Sequence, residues 1–91
     1  MAIPVLIEFF SGEPVCGECE VCLNFVDDIA KEYGDKVVVE KYIGPSAREK
    51  FEEYHIGLTP AIVINETYFI IGLTPSRETM KKAIDIELEW E

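Results

Sequence analysis

The sequence has few basic residues: eight lysines and arginines against eighteen aspartates and glutamates, for a net charge of −10. Such a charge repels phosphate backbones and anionic lipid surfaces, so it argues against nucleic-acid and membrane-surface partners. Its ordinary effect is to keep a protein soluble, and attraction of a basic partner is the alternative.

Long apolar runs are also missing. No apolar stretch approaches the roughly 20 residues that a transmembrane helix needs. The first residues, MAIPVLIEFF, lack a basic segment, and Pro4 and Glu8 interrupt their apolar run. This is not the pattern of a secretory signal, so we expect neither a membrane anchor nor secretion.

Cysteine is scarce, and all three cysteines lie in the segment PVCGECEVC, as Cys16, Cys19 and Cys22. An odd number in one short segment does not make the disulfide framework of a secreted protein. We therefore expect a reducing cytoplasm, where a close cysteine pair is usually catalytic or metal-binding. The three thiols could be a redox pair with a bystander, an incomplete set of metal ligands, or buried apolar side chains.

What is present is enough apolar sequence to fold. The hydrophobic fraction is 48%, and 91 residues predict one domain spanning residues 1–91. Residues 3–10 are nearly continuously apolar, as expected of a central strand covered on both faces. Apolar residues recur at helical spacing over residues 17–33, and Gly34 supplies a stop signal. The segment VVVEKYI, residues 37–43, is β-branched and favours a second strand.

The second half predicts a short helix, a hairpin and a last helix. Ser46 and Glu49 form a capping-box pattern before a short helix that ends near Gly57. AIVIN and YFIIG have the spacing of a β-hairpin. Thr74 and Pro75 suit the start of a final helix. Residues expected in the core include Phe9, Phe25, Phe51 and Phe69, and on the last helix Met80, Ala83, Ile84 and Leu88.

The predicted order is β-α-β-α-β-β-α. The first β-α-β unit requires a right-handed crossover to a parallel strand, and the last two strands pair antiparallel. We therefore expect an α/β fold with a four-stranded mixed sheet and helices on both faces.

Several motifs in this order resemble the thioredoxin superfamily, in particular its small archaeal thioredoxin- and glutaredoxin-like proteins. IEFF is similar to the strand that leads into the active site, CGEC to the redox motif, and GLTPAIVIN to the cis-proline segment. YFIIGLTPSRE is similar to the last strand and helix. The chain departs from the family in its longer SGEPV loop, in lacking a tryptophan before Cys16, and in Glu18, where the family more often has Pro, His or Tyr.

The resemblance implies that Cys16 and Cys19 form a redox-active disulfide. Cys16 would lie at a helix N-terminus, where unpaired amides and the helix dipole stabilise a thiolate. A Cys16–Cys22 bond would span roughly 9 Å along a helix at 1.5 Å per residue. This exceeds the limit of about 7 Å between the Cα atoms of a disulfide. Cys22 is expected to be a small buried core residue, with a regulatory thiol or a metal ligand as the alternatives.

The resemblance also assigns roles to Glu8, Thr59 and Pro60. Glu8 falls near a buried carboxylate position that relays protons to the resolving cysteine, here Cys19. The alternative is a carboxylate that reaches water at the end of its strand. Thr59 and Pro60 would be joined by a cis bond and would bind the substrate chain, with the Thr59 backbone as the pairing group.

The function expected from these motifs is that of a cytoplasmic thiol–disulfide oxidoreductase, a protein-disulfide reductase. Its partners would be disulfide-containing proteins and, as electron donor, a thioredoxin-reductase-like protein or a small thiol. We expect no organic cofactor, no metal and a monomer. One rival is a metal-binding or redox-sensing module that uses Cys16, Cys19 and Cys22, with His55 as a fourth ligand. We expect His55 to be a solvated surface residue instead. The other rival is an interaction module of the same fold.

Overall fold

The chain alternates strands and helices in the order that the sequence predicts. The computed structural model describes residues 4–12, 17–44 and 47–89. The elements are β1 Val5–Ser11, α1 Gly17–Tyr33, a 3-10 turn Gly34–Lys36, β2 Val37–Ile43, α2 Arg48–Glu53, β3 Ala61–Ile64, β4 Tyr68–Ile71 and α3 Arg77–Glu89. The bounds of α1 and β2 are those predicted. None of the helices within these ranges is long and apolar enough to cross a membrane.

The sheet places β1 at its centre. The strand order is β2-β1-β3-β4, with β1 parallel to β2 and antiparallel to β3, and with β3 antiparallel to β4. This is the four-stranded mixed sheet expected from the sequence. Because β1 has a neighbour on each side and helices cover both faces of the sheet, all of its residues except Leu6 are buried. Its near-continuous apolar sequence follows from that position.

Alternate residues of β1 face two separate hydrophobic cores. Val5, Ile7 and Phe9 pack in the larger core with side chains of α1 and α3, such as Val26 and Ile84. The larger core therefore lies between the sheet and these two helices.

The smaller core lies on the opposite face, under α2. Phe10 packs there with Ile56, Ala61 and Val63. Partly buried aromatic side chains complete it, including those of Phe51 and Tyr54. The predicted arrangement of helices on both faces of the sheet is confirmed.

α1 and α3 are joined by polar contacts at their surface. Glu32 on α1 pairs with Arg77 on α3, and with Lys81 at 3.7 Å. The hydrogen bond from Arg77 lowers the pKa of Glu32, against a smaller opposing effect of desolvation. The Tyr33 hydroxyl donates to an Asp85 carboxylate oxygen at 2.8 Å. Burial and this hydrogen bond raise the pKa of Tyr33 to about 12. These contacts fix the two helices against each other.

The start of α3 differs from the prediction. The helix begins at Arg77, and the Ser76 Oγ accepts a hydrogen bond from the Thr79 backbone amide at 3.1 Å. Ser76 is thus the N-cap, and the prediction of Thr74 in that role was wrong. The Thr74 side chain instead forms a hydrogen bond with Cys22.

Two other predictions concern single positions. Phe69 is 42% exposed, so its assignment to the core was wrong, because β4 is an edge strand and Phe69 contacts Tyr54 only at the margin of the smaller core. The capping box of Ser46 and Glu49 falls partly outside the described residues. Ala47 precedes α2 and provides no side-chain cap.

Candidate active site

The first turn of α1 lies next to the loop that contains Pro60. Gly17, Glu18 and Val21 line a groove together with Pro60 and with residues 72–74, and its volume is about 450 Å³. The Thr59–Pro60 peptide bond is cis, as expected. The fold thus places Gly17 and Glu18, from the middle of CGEC, beside Pro60, which lies some forty residues further along the sequence.

Of the predicted redox pair, Cys16 lies outside the described residues. It directly precedes Gly17, the first residue of α1. Cys19 is described and is 1% exposed in the first turn of the helix. A helix N-terminus offers backbone N–H groups and the positive end of the dipole, which is the local environment that acidifies a thiol. Glu18 and Glu20, also in the first turn, are exposed.

Cys22 is fully buried in the larger core, so the expectation of a small core residue is confirmed. Burial raises the pKa of the Cys22 thiol, the hydrogen bond with the Thr74 side chain lowers it, and the nearby Cys19 raises it. The net shift is upward, so Cys22 is protonated at neutral pH. A protonated, buried thiol is a poor nucleophile.

Thr74 connects the groove with the core beneath it. It lines the groove, and its side chain forms the hydrogen bond with Cys22. The sequence did not reveal this contact, because a threonine before a proline is also a good helix cap. The only available signal was the presence of two capping candidates, Thr74 and Ser76, within three residues.

The loop that leads into Pro60 contacts the ends of two strands. The Pro60 carbonyl accepts a hydrogen bond from the Gly72 amide at 2.8 Å. Thr59 Oγ1 lies 4.0 Å from the position that a Cβ on Gly12 would occupy, so this side chain adjoins the residue that follows β1. Thr59 is partly exposed and Pro60 is buried. The backbone around Pro60 is therefore held at the same end of the sheet as the start of α1.

Glu8 is buried at 1% exposure, so the alternative of a carboxylate that reaches water was wrong. The Tyr54 hydroxyl donates to Glu8 Oε1 at 2.7 Å, and Lys50 Nζ lies 3.7 Å from Oε2. Glu8 alternates with Phe9 along β1 and shares the face of Phe10, toward α2. Its described partners therefore lie on the sheet face opposite the one that packs against Cys22.

His55 is exposed and follows α2, as expected. It has a positive φ of 56°, a turn conformation that histidine tolerates better than most residues. Within residues 4–12, 17–44 and 47–89, no group of three or more His, Cys, Asp or Glu side chains is placed to hold a metal ion.

Residues 1–85 match the family model of the thioredoxin domain. The chain belongs to the thioredoxin family. A probable thioredoxin of Methanothermobacter thermautotrophicus is 42% identical over 85 residues, which are 93% of this chain and 98% of that protein. A thioredoxin of Methanocaldococcus jannaschii is 36% identical over 80 residues, 88% of this chain and 92% of the relative. The resemblance to archaeal thioredoxins is thereby confirmed, and the chain is a thioredoxin-type redox protein.

The thioredoxin fold is also found by structural comparison. A solved structure described as that of a malarial protein superposes with a TM-score of 0.73 and covers 94% of this chain and 98% of its own. Its sequence identity is 15%, so this similarity concerns the fold alone. The four-stranded thioredoxin fold predicted from the sequence is confirmed.

Proposed function

We propose that the chain reduces disulfide bonds in proteins through Cys16 and Cys19. The observation that carries the proposal is the groove in which Gly17 and Glu18, from the middle of the CGEC segment, adjoin Pro60. Membership of the thioredoxin family and the position of Cys16 directly before α1 support it.

The reaction is a pair of thiol–disulfide exchanges. The Cys16 thiolate attacks one sulfur of the substrate disulfide, the substrate S–S bond breaks, and its other sulfur leaves as a thiolate that takes up a proton. Cys19 then loses its proton and attacks the Cys16 sulfur, which releases the second substrate thiolate. The dithiol becomes a disulfide, and the substrate gains two electrons and two protons. A reductase protein with its own dithiol, or a small thiol, restores the reduced form.

The loop at Thr59 and Pro60 is the proposed docking point for the substrate chain. Proline has no N–H to donate, and the Pro60 carbonyl already accepts a hydrogen bond from the Gly72 amide. We therefore propose that the backbone groups of Thr59 form the hydrogen bonds with the substrate chain. The clustering of the cysteines in one short segment favours a location in the reducing cytoplasm. We expect the protein to act as a monomer without an organic cofactor.

Cysteine variants test the proposal in an insulin-reduction assay with dithiothreitol as the electron donor. Cys16→Ser and Cys19→Ser should abolish turnover, because each removes one of the two exchanges. Cys22→Ala is the matched control and should retain most of the activity, because Cys22 is buried and protonated. Equal loss in all three variants would contradict the assignment of the pair. Cys19→Ser should also trap substrate proteins as mixed disulfides with Cys16.

A proton-relay role for Glu8 toward Cys19 stays a prediction. Its described contacts, with Tyr54 and Lys50, support a second role in holding α2 to the sheet. Glu8→Gln separates the two roles. A relay predicts a changed pH–rate profile for release of the mixed disulfide. An unchanged profile with lower stability would assign Glu8 to the fold alone.

A further inference from the structure

We propose that the groove selects substrate segments in which a Lys or Arg and an apolar side chain flank the disulfide cysteine. This inference rests on the proposed function, since it names the class of substrate that the same site would reduce. The occupant is an extended peptide segment of a partner protein. Three features of the groove carry the inference: its exposed apolar rim, the carboxylate of Glu18, and the absence of lysine and arginine among its described lining residues.

The rim of the groove exposes large apolar side chains. Val21 and Leu73 line the groove and are 63% and 56% exposed. Leu58, at 64% exposure, lies against Gly72, another lining residue, with its Cδ1 3.2 Å from the position of a Cβ on that glycine. Val21 and Leu73 thus expose apolar surface in the groove, Leu58 adds to it beside Gly72, and a partner that covers these side chains gains by removing them from water.

The charge in the groove is negative. Glu18 lines it, is exposed, and has no ion-pair partner among the residues that the structure describes. Glu20 adds a second exposed carboxylate in the same helical turn. Among the described residues that line the groove there is no lysine or arginine. On α3, Arg77 and Lys81 are already engaged, because both pair with Glu32.

Charge also decides between possible occupants. A second copy of the chain would bring another net charge of −10 to an acidic groove, and the two would repel each other. An acidic peptide meets the same repulsion at Glu18. A segment with a cation placed to reach Glu18 is attracted instead, and its apolar neighbour can cover Val21 and Leu73. The combination of apolar rim and free carboxylate therefore fits a basic and apolar segment.

The test uses synthetic peptides, each with one disulfide, that differ at one residue beside a cysteine. Lysine stands there in one peptide and glutamate in the other, with leucine on the far side of the cysteine in both. Wild-type protein should reduce the lysine peptide with a kcat/KM at least about threefold higher, within the range that exposed charge pairs give. High salt should shrink the ratio. Replacing the peptide leucine by serine should slow both peptides.

Matched variants locate the effect. Glu18→Gln should bring the ratio of the two peptides toward one. Glu49→Gln removes an equal charge from an exposed position on α2 and should leave the ratio unchanged. Leu73→Ser should slow reduction of the peptides by a larger factor than reduction of hydroxyethyl disulfide, which is too small to cover the rim. Ile86→Ser, at a 46% exposed position on α3, is the control for that change and should slow neither.

The outcomes separate this inference from the proposed function. If the wild-type protein reduces hydroxyethyl disulfide, and reduces the lysine and glutamate peptides at the same rate, the proposed function stands and the substrate preference is overturned. If Glu18→Gln and Glu49→Gln change the ratio of kcat/KM between the two peptides equally, the preference arises from the net charge of the protein. That result would overturn the role of the groove. A protein that reduces none of the three disulfides overturns both.

Discussion

Tyr54→Phe should destabilise the fold strongly for a change of one atom. The Tyr54 hydroxyl donates to the Glu8 carboxylate at 2.7 Å, and Glu8 is 1% exposed. Burial and this hydrogen bond raise the pKa of Tyr54, so the hydroxyl remains a donor throughout the neutral range. Without it, the described partners that remain for Glu8 are Lys50, with its Nζ 3.7 Å away, and Tyr42. The pKa of Tyr42 is raised by its hydrogen bond with Glu40 and also by the nearby Glu8 carboxylate. The ring contacts with Phe10 and Phe69 are retained by phenylalanine.

The size of the loss follows from the charge on the acceptor. A hydrogen bond to a charged group contributes about 1.5–3 kcal/mol, against about 0.5–1.5 kcal/mol for a neutral pair. For a domain of this size, a loss of that order lowers Tm by roughly 6 °C or more. Urea denaturation and thermal melting of the wild-type and variant proteins at neutral pH measure it. In a Glu8→Gln background the same substitution should cost less, because the acceptor is then neutral.

Tyr33→Phe is the control for this chemical change. Its hydroxyl also donates to a carboxylate, that of Asp85, but in an exposed hydrogen bond where water can replace the lost donor, so its loss should cost less, about 0.5–1 kcal/mol. Equal destabilisation by Tyr33→Phe and Tyr54→Phe, or a Tyr54→Phe protein as stable as the wild type, would refute the idea that the buried carboxylate depends on this donor.

Thr74, Glu32 and Gly72 each have a local contact or conformation that one substitution can test. Thr74→Val should raise the pKa of Cys22 further, because the lost hydrogen bond lowers it. Thiolate absorbance in a background with the other cysteines replaced by serine measures this, and an unchanged titration would contradict it. Glu32→Gln should lower the free energy of unfolding at neutral pH but not in strong acid. Because the pKa of Glu32 is lowered in the folded protein, its ionised form stabilises the fold at pH values above the ordinary pKa of glutamate. This stabilisation is lost as the pH falls through the pKa of the folded protein. A gap in urea midpoints that persists in acid would count against it. Gly72→Ala should cost about 1–2 kcal/mol by urea denaturation because its φ is +84°, and Gly57→Ala, with open space around it, should cost less.

The sequence predicts most of the architecture because strong local signals mark its elements. The apolar run of β1 reflects burial on both faces, and Gly34, with a φ of 58°, marks the end of α1. The cysteine spacing and the Thr59–Pro60 pair predict the two segments that meet at the groove. Each of these signals lies within a few residues of the feature that it predicts.

What the sequence could not predict depends on contacts between distant residues. Tyr54 and Glu8 are 46 positions apart, so no local pattern reveals that the carboxylate has a hydroxyl partner. The same holds for Thr74, which the fold places over Cys22 while Ser76 takes the capping role. The hairpin spacing that predicts β4 does not show that this strand lies at the edge of the sheet, so the exposure of Phe69 could not be predicted.

The central position of β1 has a consequence for how the molecule opens. Its amides lie between two hydrogen-bonded neighbours, and Leu6 is also held by Asn65, whose Oδ1 accepts from the Leu6 amide at 2.7 Å. β4 has one neighbour, and three of its four residues are exposed. In native-state hydrogen exchange, β4 should therefore exchange through local opening, whereas β1 should exchange only when the whole domain unfolds. The strand that leads toward the cysteines would then be the last part of the molecule to open.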